Sequence, residues 1–266
     1  MIQSIKKGIG NFGVRIIKFI ARKAKIDLIR IAYWENGLLK SHSLQASGEE
    51  YFIKDFLSNK ILKKAPVLFD VGANKGEYST LLRKSFGNAN LHSFEPNSNT
   101  FHQLEDNISG IAKCYNFGFG EIEKKEKLYY SSSDKTSVQA TSDKSILTSI
   151  SKPDEISEEE IHVTTIDKFC SEKKIDFIDF LKIDTEGFEL EVLLGAREFL
   201  ASNKIGIIQF EFNEVNIVKR RFLKDFYEVL QNFELYRLDT NRLIKLKEWQ
   251  PIHEIFMFQN IVAIKK

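Results

Sequence analysis

Apolar and polar positions change period several times along this chain, and each change marks an element. Between residues 5 and 26, Ile5, Ile9, Phe12, Ile16, Phe19, Ile20 and Ile26 recur largely at three- and four-residue steps among Lys and Arg, which predicts a basic amphipathic helix. A polar connector over 40–46 leads to a second helical stripe over 48–62, carried by Tyr51, Phe52, Phe56 and Leu57. After Pro66, short apolar runs alternate with amphipathic ones. Strands are expected over 67–70, 89–94, 113–119, 161–165, 177–183, 205–212, 233–238 and 258–264, with a short extra strand at 127–130. Helices are expected over 77–86, from Asn97 or Ser98 through Ile108, and over 166–172, 188–200 and 216–232. Strands and helices alternating at this spacing predict an α/β fold around a mostly parallel sheet. Residues 131–160, rich in Ser, Thr, Lys and Asp, interrupt the alternation. They read as a disordered surface loop or as a lid over a site, because loops of that length are commonly mobile or functional.

The corner between the first strand and its helix carries chemistry. The run Val67-Leu68-Phe69 ends in Asp70, and the turn Gly72-Ala73-Asn74-Lys75-Gly76 follows, with Glu95 closing the second strand. Strand, glycine turn, helix, strand and acid make a Rossmann-type βαβ unit. The spacing departs from the dinucleotide fingerprint G-x-G-x-x-G, and Lys75-Gly76-Glu77 is not a P-loop ending. Asp70 before the turn would repel a pyrophosphate at the helix N-terminus and suits a ligand bearing an ammonium group. S-adenosylmethionine has an amino group, a sulfonium and a ribose but no phosphate, so this pattern favours it. Asp70, Gly72, Ala73, Asn74 and Gly76 are expected around its methionine part and Glu95 on its ribose hydroxyls. Pro96 and Asn97 are expected at the adenosine end, with Asn116 and Gly118 bordering the adenine.

Three blocks extend this reading. FDVGANKGEYS, FEPN and LKIDTEGFELEVLLGA, spread over 66–213, resemble the FkbM-type family of S-adenosylmethionine-dependent methyltransferases, the third block most specifically. The resemblance implies a Rossmann-like class I methyltransferase fold. Its sheet has seven mostly parallel strands, with the last inserted antiparallel between the fifth and sixth. It also implies O-methylation, here of a sugar hydroxyl on a glycan or of a similar hydroxylated metabolite. Methylation of RNA or protein, or a non-catalytic cofactor-binding scaffold, are the alternatives. No Asn/Asp-Pro-Pro-Tyr/Phe signature follows the fourth strand, where Asp184-Thr185-Glu186-Gly187 stands instead.

Ligands of open α/β sheets lie beyond the carboxyl ends of the strands. Asp184, Glu186 and Glu211 end strands there and are the catalytic candidates. Asp184 is read as orienting the donor, taking the acceptor proton or binding metal, against a plain helix-capping role. Glu186 is also read as complementing a helix dipole, and the helical phase turns Glu189 toward solvent. Asp184, Glu211 and Asn213 form a weak candidate oxygen site for Mg²⁺. His162 and His253 are candidate proton carriers, though lone histidines are more often structural.

Composition narrows the rest. With 266 residues, 42% hydrophobic and 29% charged, the chain suits one soluble α/β domain over 47–266 with a polar insertion at about 131–160, preceded by the basic segment 1–46. A net charge of +2 gives no case for a nucleic-acid partner. Cys114 and Cys170 lack metal-ligand spacing and read as buried thiols in a reducing, cytoplasmic compartment. The N-terminal basic helix reads either as a peripheral membrane or acidic-partner contact, or as a helix packed on the domain or on a second subunit.

Overall fold

The computed structural model describes residues 2–131, 140–151 and 155–266. Eleven strands are described: β1 Val67–Val71, β2 Asn90–Phe94, β3 Lys113–Tyr115, β4 Gly118–Phe119, β5 Lys124–Ser131, β6 Ile156–Thr164, β7 Ile178–Ile183, β8 Ile205–Phe212, β9 Phe233–Asp239, β10 Arg242–Leu246 and β11 Gln259–Lys265. Eight form one sheet in the order β10-β9-β11-β8-β7-β1-β2-β3. The pairs β3–β2, β2–β1, β1–β7 and β7–β8 are parallel, and β11 runs antiparallel to both β8 and β9. The expected insertion of the last strand between the fifth and sixth is therefore present, and β10 adds an eighth strand by a hairpin on β9. β4, β6 and β5 form a separate three-stranded sheet.

Side-chain alternation divides the central strands between two cores. Phe69, Leu181 and Ile208 point to one face, where Phe94, Phe119 and Phe169 join them. Leu68, Phe180 and Ile207 point to the other, packed with Tyr78 and Leu82 and with Phe52, Ile53 and Leu57 of the helix before β1. Burying each such side chain stabilises the fold by about 1.5–3 kcal/mol.

Several predicted elements divide. The expected strand 113–119 becomes β3 and β4, in different sheets, because the chain bends at Asn116. The Asn116 amide donates to the Glu95 carbonyl at 2.9 Å and the Pro96 carbonyl at 3.1 Å, tying the bend to the end of β2. The expected helix 188–200 breaks into Glu189–Leu194 and Arg197–Ala201. Asp167 starts the second piece by accepting from the amides of Glu198 at 2.9 Å and Phe199 at 3.0 Å. The expected helix 216–232 likewise breaks at Arg220, whose φ is +53°, into Val215–Lys219 and Leu223–Val229. Glu254 caps the second piece through the Leu223 and Lys224 amides.

The insertion is more ordered than its composition suggests. β5 and β6 pair along their lengths, so strand structure begins at Ile156 rather than at 161, and a helix starts at Lys144–Ile146. Residues 132–139 and 152–154 of the expected loop lie outside the described residues. The basic segment forms the helices Ile2–Lys23 and Leu28–Glu35, the first interrupted at Gly10. Lys40 then pairs with Asp239, fastening the following segment to the end of β9. Among the described residues no helix is long and apolar enough to cross a membrane.

Candidate active site

A cavity of about 940 Å³ opens at the carboxyl ends of β1, β2, β7 and β8. Ten carboxylates line it: Glu49, Glu77, Glu95, Glu121, Glu126, Asp184, Glu186, Glu191, Glu211 and Glu214. Among the described residues, Lys124 is the only Lys or Arg in the lining. Such a field attracts a cationic ligand and repels phosphates.

One end is built by the glycine turn. Gly72 has φ +79°, and a Cβ there would lie 1.7 Å from the Asp184 carbonyl oxygen, so only glycine lets β1 turn against the end of β7. The amides of Gly72 and Ala73 both donate to the Phe94 carbonyl at 2.9 Å. Glu95 is buried at the cavity wall. Its Oε2 accepts from the Asn74 amide at 3.1 Å and its Oε1 from the Asn97 amide at 2.9 Å. Burial pushes this carboxyl up to about 7, against the pull of those two amides. Gly72, Asn74, Glu95, Pro96 and Gly118 line the cavity. The buried Oδ1 of Asn74 has no partner among the described residues.

Other predicted binding residues stand behind this wall. Asp70 does not line the cavity; it is fully buried, accepting from Ser79 Oγ at 2.6 Å, with Lys182 Nζ at 3.9 Å. It lies behind the cavity floor, and its Oδ1 has no hydrogen-bond partner among the described residues. At Gly76 a Cβ would press on Ile108 and Leu104, so that glycine admits the next helix instead of the ligand. Ala73 is buried in packing with Leu104 and Ile108. Asn97 caps the helix Ser98–Ile108 through the Thr100 amide at 2.9 Å. Asn116 holds the bend after β3, as described above.

The side of the cavity at β7 and β8 gathers Asp184, Glu186 and Glu211, the Asp184 backbone meeting Gly72. Asp184 Oδ2 accepts from Lys182 Nζ at 3.0 Å. Lys182 is buried, its ammonium 4.6 Å from the Tyr78 ring centroid. Burial opposes its charge, but Asp184, Asp70 and Glu49 together raise its pKa. Burial comes first in pushing Glu186 and Glu211 well above the ordinary carboxylate range, and Asp184 adds to both. Glu189 corrects the sequence reading. It is 2% exposed rather than turned to solvent. Its Oε1 accepts from the Thr185 amide at 2.9 Å, Thr185 Oγ1 at 3.0 Å and the Gly187 amide at 3.1 Å. It thereby fixes the loop carrying Glu186, whose φ is +53°.

The Mg²⁺ expectation finds no support. Asn213 turns its amide nitrogen toward Glu211, while its Oδ1 accepts from the Val215 amide at 2.9 Å. The Asn213 oxygen is therefore already engaged by backbone. No group of three or more His, Cys, Asp or Glu side chains among the described residues is placed to hold a metal. Neither His162 nor His253 lines the cavity. Cys170 is buried as expected, while Cys114 is only half-buried.

The sequence reading missed a polar cluster that runs from the cavity lining into the core. Gln209 Nε2 donates to Glu49 Oε1 at 2.8 Å and to Asn260 Oδ1 at 3.1 Å, and its Oε1 accepts from Tyr78 Oη at 2.6 Å. Ser47 donates to the other oxygen of Glu49 at 2.7 Å. A signal for Lys182 was present: it shares strand parity with Asp184 and sits in register with Asp70. Glu49 gave none, because its helix lies outside the matched blocks.

The site fits S-adenosylmethionine by its own chemistry: a bare backbone turn, an unpartnered Asn74 oxygen, a carboxylate at the end of β2 and an acidic lining. The description "Methyltransferase FkbM domain" matches residues 70–238. Among solved structures, a methyltransferase FkbM from Methylobacillus flagellatus KT is 16% identical, the match covering 82% of this chain and 50% of that one at a TM-score of 0.46. This chain therefore spans about half the length of that protein. The plantazolicin methyltransferase BpumL, solved in complex with SAH, is 10% identical over 93% of this chain and 94% of that one, with a TM-score of 0.45. A TehB-like SAM-dependent methyltransferase from Corynebacterium glutamicum is 12% identical over 84% and 92%, with a TM-score of 0.41. No curated protein matches the chain. The family match spans more than half of the chain, from Asp70 at the glycine turn to Leu238 in β9, and the chain belongs to the FkbM family of S-adenosylmethionine-dependent methyltransferases.

Proposed function

We propose that the protein is an O-methyltransferase whose acceptor is a neutral sugar hydroxyl on a glycan or a similar hydroxylated metabolite. The observation that carries this reading is the cavity lining, ten acidic side chains against one lysine, a net negative wall even with Glu186 and Glu211 protonated. An anionic acceptor, a nucleic acid above all, meets repulsion there. A polyol instead donates its hydroxyls to carboxylate oxygens, each a charge-assisted hydrogen bond.

Bound S-adenosylmethionine supplies an electrophilic methyl group on a sulfonium. Gly72, Asn74 and Glu95 would hold it at one end, with Pro96 and Gly118 beside them. The chain's remaining task is to place a hydroxyl oxygen and remove its proton. Asp184 is kept in place by Lys182, and Glu189 fixes the loop that presents Glu186. Glu186 and Glu211, raised by burial and neighbouring negative charge, are strong bases once ionised. Positive charge in the cavity favours that ionised form. The hydroxyl proton then passes to a carboxylate oxygen of Glu211 or Glu186, with Asp184 orienting the acceptor.

Release of S-adenosylhomocysteine measured across neutral glycans, acidic glycans, RNA and peptides tests the reading. Turnover is expected with the neutral glycans. Turnover confined to RNA or peptides would overturn it.

A further inference from the structure

The two N-terminal helices leave a broad apolar surface uncovered. In the stretch from Phe12 to Lys23, the residues Phe12, Ile16, Phe19 and Ile20 recur at i, i+4, i+7 and i+8 and form one stripe. Phe12 is 77% exposed and Phe19 63%. The protein side of this helix is the opposite one, where Ala21 is buried and Val14 half-buried. The helix Leu28–Glu35 buries none of its residues, and its Ile29 is 66% exposed. Scattered exposed apolar residues are ordinary, but four in phase on one helix face mark an interaction surface.

Charge decides what covers it. Between residues 2 and 35 stand Lys6, Lys7, Arg15, Lys18, Arg22, Lys23, Lys25 and Arg30 against Asp27 and Glu35, a net +6. The whole chain carries +2, so the remainder carries −4. A second copy would bring one +6 segment against another. Arg15, Lys18 and Arg22 lie beside the apolar stripe, as in helices that rest in a membrane interface with aliphatic and aromatic side chains inserted. We infer that these helices dock the protein on an anionic lipid bilayer, Phe12, Ile16, Phe19 and Ile20 entering the headgroup boundary and the flanking cations meeting acidic lipid.

The surface also adjoins the cavity. The Trp34 ring lies 6.0 Å from that of His42, which lines the cavity beside Ser41 and Ser43. Docking would therefore set one wall of the site close to the membrane surface. This inference stands apart from the acceptor chemistry and does not need it.

Co-sedimentation of the full chain with extruded vesicles tests it. Vesicles of phosphatidylcholine with about one third phosphatidylglycerol should bind the protein, and raised salt should weaken binding. Phosphatidylcholine alone should bind at least about tenfold more weakly, since each Lys or Arg near an acidic surface adds to the attraction. Phe12→Glu with Phe19→Glu should abolish binding while leaving the melting temperature and S-adenosylhomocysteine affinity unchanged, both side chains being exposed. No binding to anionic vesicles, or binding that the double variant keeps, overturns the inference. So does a dimer in light scattering that the double variant dissociates, which would assign the stripe to a second copy.

Discussion

Glu95 and Glu211 stand at strand ends on one rim of the sheet, one buried and the other half-buried at the same cavity, and their surroundings differ. Each oxygen of Glu95 meets a backbone amide, from Asn74 and Asn97. Glu211 accepts from one side-chain amide, Asn213, and faces the charges of Asp184, Glu186 and Glu189. Burial raises both groups, but Glu95 stops at about 7 while Glu211 is driven well above the ordinary range. At the glycine-turn end, fixed backbone dipoles support a carboxylate before any ligand arrives. At the other end, carboxylates are crowded with few donors, so their ionisation depends on positive charge entering the cavity. The first arrangement suits a binding wall and the second a site for proton transfer.

The largest effect expected comes from joining the two ends badly. Gly72 touches the Asp184 carbonyl, so Gly72→Ala must push β1 and β7 apart in a conformation that alanine disfavours. Calorimetry should show no measurable cofactor binding, and the melting temperature should fall. Wild-type affinity would mean that the turn relaxes without moving Asp184.

Next comes the proton-transfer end alone. Asp184→Asn keeps the size of the side chain but removes the charge that meets Lys182. Turnover should drop about a hundredfold, the size of effect that loss of acceptor orientation produces. Cofactor affinity should change much less. A variant that turns over normally would leave Asp184 as a structural partner of Lys182 and nothing more.

Glu95→Ala probes the binding wall. Losing charge-assisted hydrogen bonds worth about 1.5–3 kcal/mol should weaken cofactor binding roughly ten- to a hundredfold while leaving the fold intact. Equal affinity in the folded variant would move the ribose away from Glu95.

The same contrast explains what could be read from the sequence. The glycine-turn end was legible because its determinants are local: a turn with Gly72 and Asn74 at positive φ, and an acid one strand later. The last strand's place between β8 and β9 followed from the family resemblance. The carboxylate-rich side is assembled from distant segments. Glu49 comes from a helix before the matched blocks and reaches Gln209 on β8, 160 positions away. Helical phase sent Glu189 outward because it assumed a helix running in from Gly187. The chain instead turns there, with Glu186 and Gly187 both at positive φ, and Glu189 folds back onto its own loop. Asp70 was read as a ligand contact because charge is visible in sequence and depth is not.

The smallest effect sharpens the comparison most, because it has a sign. Glu95, held at about 7, is mostly protonated near pH 6 and mostly ionised near pH 8, roughly a tenfold change in carboxylate. Ribose hydroxyls donate to the ionised form, so cofactor affinity should rise about tenfold across that interval and then level off. Stability of the free protein should move the other way. Glu95 and Glu189 both hold protons more tightly when folded, at about 7, than at the ordinary value of 4.5. Their stabilising contribution is therefore full below about 4.5 and lost as pH rises through about 7. Calorimetric titrations at stepped pH should show the melting temperature declining from about pH 4.5 and levelling off above about 7, while binding strengthens from about pH 6 to 8. Glu95→Gln, which cannot titrate, should flatten the binding curve but leave the part of the melting trend that Glu189 supplies. If Glu95→Gln keeps the full pH slope in binding, the titrating group lies among the crowded carboxylates at the other end, and the assignment of the two ends to binding and proton transfer fails.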